Sequence, residues 1–172
     1  GTLQGPVVGT VMSNLGLEQK LQAEGVEFLR AKVGDRYVLA MLKEHGGVLG
    51  GETSGHLLCL DRTTTGDGLV SALEVLAVMK RTGRPLAELV AGMPKFPQVM
   101  INVRVRERID PSQSQVIQDA VRRVEKVLGS TGRVVLRASG TEPVIRVMIE
   151  AEDEAVASRY ASELAEVVRT AI

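Results

Sequence analysis

The stretch Ala91-Gly92-Met93-Pro94-Lys95-Phe96-Pro97 constrains this chain more than any other. Its prolines fix φ and lack an N–H, and Gly92 loosens the backbone, so neither a helix nor a central strand can run through it. The patterns on its two sides also differ. It therefore sets a domain boundary, with an α/β domain over residues 1–91 and an α+β domain over residues 92–172. At 172 residues and 44% hydrophobic content, the chain carries enough apolar material for two small cores.

The first half alternates short β-like runs with helical periodicity. Residues 7–12 read as a strand, and Ser13 or Asn14 offers a cap for a helix to about Ala23, ended by Gly25. A strand over 26–31 leads to a helix over 35–44, with Val38, Leu39, Met41 and Leu42 inward and Gly46 closing it. Two short strands, 48–51 and 56–60, surround a turn. A long helix follows from about Asp67 to Arg81, stopped by Gly83 and Pro85. It is apolar nearly all round (Leu69, Val70, Leu73, Val75, Leu76, Val78, Met79), which predicts deep packing. Such alternation specifies an α/β layer on a mixed sheet.

The second half reads β-α-β-β-α. Val99, Ile101, Val103 and Val105 alternate with Met100, Asn102, Arg104 and Arg106, the pattern of a strand with one buried face. Asp110-Pro111-Ser112-Gln113 supplies an N-cap, a proline at the first helical position and a glutamine at the third. The helix that follows carries Ile117, Ala120, Val121, Val124 and Leu128 to Gly129. Strands are predicted over 132–138 and 144–150, the second setting Ile145, Val147 and Ile149 against Arg146, Met148 and Glu150. A last helix aligns Val156, Tyr160, Leu164, Val167 and Val168, so helices cover one side of an antiparallel sheet.

Composition removes several function classes. Lys+Arg and Asp+Glu balance at 21 each, and a nucleic-acid binder needs a basic surplus. With two Tyr, two Phe and no Trp, base stacking has little to work with. No apolar stretch reaches the roughly 20 residues that span a bilayer, and no secretory pattern is present. The only cysteine, Cys59, lies in an apolar run and reads as a buried small hydrophobe, which points to a reducing, cytoplasmic compartment. Two histidines and one cysteine are too scattered for a metal site. The chain starts at Gly1 rather than Met and enters a strand almost at once, so it is expected to be a piece of a longer protein.

Two loops carry chemistry. Gly50-Gly51-Glu52-Thr53-Ser54-Gly55-His56 sets a carboxylate, a hydroxyl and a titratable ring among glycines, which suits the neighbouring hydroxyls of a sugar. By spacing alone it is equally a hairpin turn with exposed polar residues. Arg137-Ala138-Ser139-Gly140-Thr141-Glu142-Pro143, with Arg146 three residues on, offers hydroxyls, backbone N–H groups and two planar forks to an anion such as phosphate. An ordinary turn flanked by solvated arginines has the same spacing. Lys32 reads as a strand-end lysine, Thr65 or Asp67 as a helix cap, and His45 as a group at a helix C-terminus.

Taken as a pair in this order, the two loops resemble the α-D-phosphohexomutase family. Gly51, Glu52, Ser54, Gly55 and His56 match its sugar-binding motif Gly-Glu-x-Ser-Gly-His. Arg137, Ser139, Gly140, Thr141, Glu142, Pro143 and Arg146 match its phosphate-binding motif, and neither match contains a mismatch. The resemblance covers essentially the whole chain. It implies the third of four domains over 1–91 and the fourth over 92–172. The strings from Thr63 to Gly68 and from Met93 to Val105 resemble the branch that interconverts glucosamine 6-phosphate and glucosamine 1-phosphate.

What the resemblance implies is a hexosamine phosphate held by Gly51, Glu52, Ser54 and His56 at the sugar and by Arg137, Ser139, Gly140, Thr141 and Arg146 at the phosphate. Lys32 and His56 match positions near the reacting phosphoryl group, as supporting catalytic residues. The family works through a phosphoserine, a hexose bisphosphate intermediate and Mg²⁺ held by aspartates. Neither its Ser-His-Asn-Pro loop nor its Asp-x-Asp-Gly-Asp loop occurs in this sequence. The implied partner is then the missing N-terminal half of the same protein, the chain alone is expected to be inactive, and a homodimer is left open. A sibling enzyme for glucose or mannose phosphates and a non-catalytic phosphosugar-binding module are the competing readings.

Overall fold

Local signals place most element ends. The computed structural model describes residues 3–106, 109–140 and 142–172. The chain divides into two compact units, Gly1–Pro94 and Lys95–Ile172. The first runs β1 (Val7–Thr10), α1 (Leu15–Ala23), β2 (Phe28–Ala31), α2 (Asp35–His45), β3 (Leu49–Gly51), β4 (Leu57–Cys59), α3 (Gly68–Thr82) and α4 (Leu86–Val90). Asn14 caps α1 by accepting from the Gly16 N–H, and Asp67 caps α3 by accepting from Leu69 and Val70. His45 contacts the Met41 carbonyl in the last turn of α2 at 3.0 Å.

The sheet order is β2-β1-β3-β4, with β1 parallel to both β2 and β3 and with β4 antiparallel to β3. Chain reversal through helices is what parallel neighbours require. Val8, Ala31, Val38, Leu42 and Leu58 form the core under α2. A Cβ on Gly50 would lie 2.7 Å from Val38 Cγ1 and from the Val8 carbonyl oxygen, so α2 can sit this close only over a glycine.

The long helix α3 departs from expectation. None of its residues is buried, and Leu69, Leu73 and Leu76 are 79%, 65% and 57% exposed. It leans on β4 and α4, and no other layer among the described residues lies over its apolar side. Apolar content measures a need for cover, and this unit does not supply it. The helix α4 was also unforeseen. Gly83 and Pro85 do end α3, but Pro85 then stands at the start of a new short helix, where its fixed φ is no handicap.

The second unit is β5 (Gln98–Arg104), α5 (Gln115–Leu128), β6 (Gly132–Ala138), β7 (Val144–Ala151) and α6 (Glu154–Ala171). The antiparallel sheet has the order β5-β7-β6, and α5 and α6 pack on one face of it. Ile117, Val124, Ile145, Val147, Ile149, Leu164 and Val168 are in its core. The architecture is thus α/β followed by α+β, as the sequence patterns specify. One cap differs. Asp110 holds a 3₁₀ turn over Pro111–Gln113, and Ser114 caps α5 itself, because the proline suits a tight turn ahead of the helix.

Strand β7 is buried more fully than its alternation suggests. Met148 and Glu150 sit on the face away from the helices, yet both are almost wholly buried. As the central strand, β7 is flanked by side chains on both edges. Glu150 lies in register between Gln98 and Arg133 and accepts from both, at 3.2 Å and 2.5 Å. A buried carboxylate needs such partners.

Candidate functional site

Each unit carries one of the two loops. In the first, β1, β2 and β3 are parallel, so the segments that leave their C-terminal ends share one edge of the sheet. This edge is the usual ligand position in open α/β sheets. The turn after β3 closes on itself. The Glu52 N–H donates to the His56 carbonyl at 2.9 Å and the Gly55 N–H to the Glu52 carbonyl at 3.1 Å. Gly55 has φ +97°, a conformation that side chains resist.

Glu52 is the best-anchored group of this loop. Its side chain is only 7% exposed, and its Oε1 accepts from the Gly34 N–H at 2.7 Å. Gly34 follows β2 and has φ 128°, so a glycine-only turn presents that N–H. The bond ties the turn containing Lys32 to the loop of Glu52. Lys32 itself is exposed. The His56 ring is exposed, with Nδ1 at 3.5 Å from Glu52 Oε2 and 3.3 Å from Ser54 Oγ. The structure therefore gathers Glu52, Ser54 and His56, with the Lys32 turn bonded beside them. The role of the Gly34 backbone was not legible in the sequence, since its partner lies eighteen residues away in another loop.

In the second unit the hairpin of β6 and β7 brings Arg137 and Arg146 directly opposite each other. Like charges so paired repel. Both Nε atoms are buried with no hydrogen-bond partner among the described residues. Burial first, and then the neighbouring Arg146 charge, lowers the Arg137 pKa from its usual value. A terminal nitrogen of Arg146 reaches Glu142 Oε2 at 3.3 Å. Asn102 of β5 is the next residue in this row, opposite Arg146, and only strand register reveals it.

The turn between these strands is tight. The Ser139 N–H donates to the Val144 carbonyl at 2.9 Å, and the Glu142 N–H donates to Ser139 Oγ at 3.3 Å. Among the described residues, a Cβ added to Gly140 would meet nothing within 4 Å, so their packing does not demand glycine there. Thr141 lies outside the described residues.

Among the described residues, no three of His, Cys, Asp and Glu gather as metal ligands. The described residues do not fit a Mg²⁺ site. Cys59 is buried, and desolvation together with Asp61 and Glu74 raises its pKa, so it remains a thiol. No helix among the described residues is long and apolar enough to cross a membrane.

Residues 1–96 match the family model for phosphoglucomutase/phosphomannomutase, alpha/beta/alpha domain III, and residues 100–167 match that for the C-terminal domain of the same family. The phosphoglucosamine mutase of Alkalilimnicola ehrlichii is 58% identical over 99% of this chain, and that of Methylococcus capsulatus is 56% identical over the same share. The chain spans about 38% of the length of these curated relatives. An Aspergillus fumigatus N-acetylphosphoglucosamine mutase, solved with GlcNAc-6P and magnesium, aligns with TM-score 0.81 at 20% identity, over 96% of this chain and 42% of its own. A phosphoglucomutase/phosphomannomutase family protein from Burkholderia thailandensis aligns with TM-score 0.73 at 25% identity, over 97% of this chain and 38% of its own.

Proposed function

Because the chain belongs to the phosphoglucomutase/phosphomannomutase family, we propose that it is the sugar- and phosphate-gripping part of a longer enzyme that interconverts glucosamine 6-phosphate and glucosamine 1-phosphate. The observation that carries this reading is the pair Arg137 and Arg146. Two guanidinium groups face each other with buried, unpartnered Nε atoms, an arrangement that an anion between them would stabilise. A phosphate supplies the charge and the acceptor oxygens together.

In this reading the hairpin holds the phosphate that is not being transferred, through Arg137, Arg146 and the Ser139-Gly140-Thr141 backbone. Glu52 and Ser54 take the sugar hydroxyls. Oε2 of Glu52 is available for this while Oε1 stays on Gly34. His56 and Lys32 place positive charge near the reacting phosphoryl group, where phosphoryl transfer gains most from electrostatics. The phosphoserine, the Mg²⁺ and the turnover of a hexose bisphosphate belong to polypeptide outside this chain. The glucosamine assignment over glucose or mannose siblings rests on relatives of 52–58% identity that are all phosphoglucosamine mutases.

The test compares the 172-residue chain with the full-length parent protein on a panel of hexose phosphates. The parent should turn over glucosamine 6-phosphate best, and the chain alone should bind inorganic phosphate without turnover. Conversion by the pure chain would overturn the division of labour, and a parent that prefers glucose or mannose phosphates would overturn the substrate.

Gly140→Ala separates binding from folding. The added methyl meets open space within the chain, so the melting temperature should stay within a degree or two. Phosphate would meet that methyl, and affinity should fall about tenfold. Unchanged affinity by titration calorimetry would remove Gly140 from the phosphate site.

A further inference from the structure

An enzyme for glucosamine phosphates must tell an amino group from the hydroxyl that glucose carries in its place. Near neutral pH that amine is an ammonium. A carboxylate separates the two, whereas neutral hydrogen-bonding groups serve both sugars nearly alike. The segments that follow β1, β2 and β3 at the shared sheet edge are residues 11–14, 32–35 and 52–56, and their only carboxylates are Asp35 and Glu52.

Glu52 is committed elsewhere. Its Oε1 accepts from the Gly34 N–H at 2.7 Å, and its Oε2 lies 3.5 Å from His56 and serves the sugar hydroxyls. Its loop also matches a motif of the whole family, whose model is named for phosphoglucomutase and phosphomannomutase, so Glu52 does not separate amine from hydroxyl.

Asp35 remains. It directly follows Gly34, so the backbone group that Glu52 holds brings both carboxylates to one place. The side chain is exposed, and its Oδ1 accepts from the Arg36 N–H at 2.7 Å, which leaves Oδ2 open. The neighbouring cation is turned away from it. Arg36 donates to the Tyr37 hydroxyl at 2.6 Å and stacks over that ring, 4.6 Å from its centroid. Asp35 makes no ion pair among the described residues. Its place in the first turn of α2 favours the helix, but the helix does not require a carboxylate kept clear of every cation.

We infer that Asp35 is the specificity-determining residue for glucosamine phosphates, its open oxygen pairing with the sugar ammonium while Glu52 holds hydroxyls. The inference rests on the function proposed above and adds the residue that selects the substrate within it.

The test uses the full-length parent protein and reads kcat/KM for glucosamine 6-phosphate over that for glucose 6-phosphate. Inhibition constants replace the second value if glucose 6-phosphate turns over too slowly. Asp35→Asn keeps an acceptor for the Arg36 N–H and removes the charge, so the ratio should fall about tenfold or more. Asp35→Glu keeps the charge and should restore part of the preference. A role confined to the helix would instead lower the melting temperature and leave the ratio as it was. An unchanged ratio in Asp35→Asn, or an equal loss for both sugars, would overturn the inference while the proposed function stands. A wild-type parent that prefers glucose 6-phosphate would overturn the proposed function itself, before any variant is made.

Discussion

Arg137→Ala in the full-length parent protein is expected to lower kcat/KM for its hexose phosphate by roughly ten- to a hundredfold without lowering its melting temperature. The two halves of this result have one cause. In the unliganded hairpin Arg137 faces Arg146 in register, and its Nε is buried without a partner. Its removal relieves a like-charge contact, which costs a hairpin about 0.2–1 kcal/mol. With phosphate bound, the same side chain gives charge-assisted hydrogen bonds worth about 1.5–3 kcal/mol. Arg137→Lys should recover part of the affinity, because an ammonium cannot reproduce the planar fork. Steady-state kinetics, thermal melts and phosphate titration of the 172-residue chain check all three. A variant that binds phosphate normally but melts early would make Arg137 a structural residue and sink the phosphate assignment.

Glu52 should behave differently, because its carboxylate has two tasks. Glu52→Ala leaves the Gly34 N–H without its acceptor and is expected to cost about 1–3 kcal/mol of stability as well as most of kcat/KM. Glu52→Gln keeps a carbonyl oxygen for Gly34, so it should fold nearly as well and lose chiefly the charged contact to the sugar. Phosphate binding by the other loop should survive in both variants. Denaturant midpoints and kinetics on the two variants separate the tasks. Equal loss of stability in Ala and Gln would mean that Gly34 is not the partner that matters, and loss of phosphate binding with sugar discrimination intact would reverse the two loops.

How far the sequence could be read depended on the range of the interaction. Caps are encoded within three residues, so Asn14 and Asp67 hold the helices that follow them. The alternation of β5 and β7 and the 3.6-residue period of α5 and α6 likewise mark their buried faces without outside information. At Asp110 the sequence pattern placed the cap of α5, whereas the structure gives that cap to Ser114 and leaves Asp110 to hold the 3₁₀ turn.

The site divides in the same way. Its residue types and their order along the chain are local, and the expectation of a sugar loop and a phosphate loop rests on them. Its electrostatics are not local. That Arg137 stands against Arg146 follows from the register of β6 on β7, and that Glu52 holds Gly34 follows from the parallel pairing of β1 with β2 and β3. For α3, the sequence determined that a long apolar helix would form between Asp67 and Gly83, and only the tertiary structure decided that it would stay uncovered. Apolar periodicity records how much surface a helix must hide, whereas burial depends on what else the fold brings to that face.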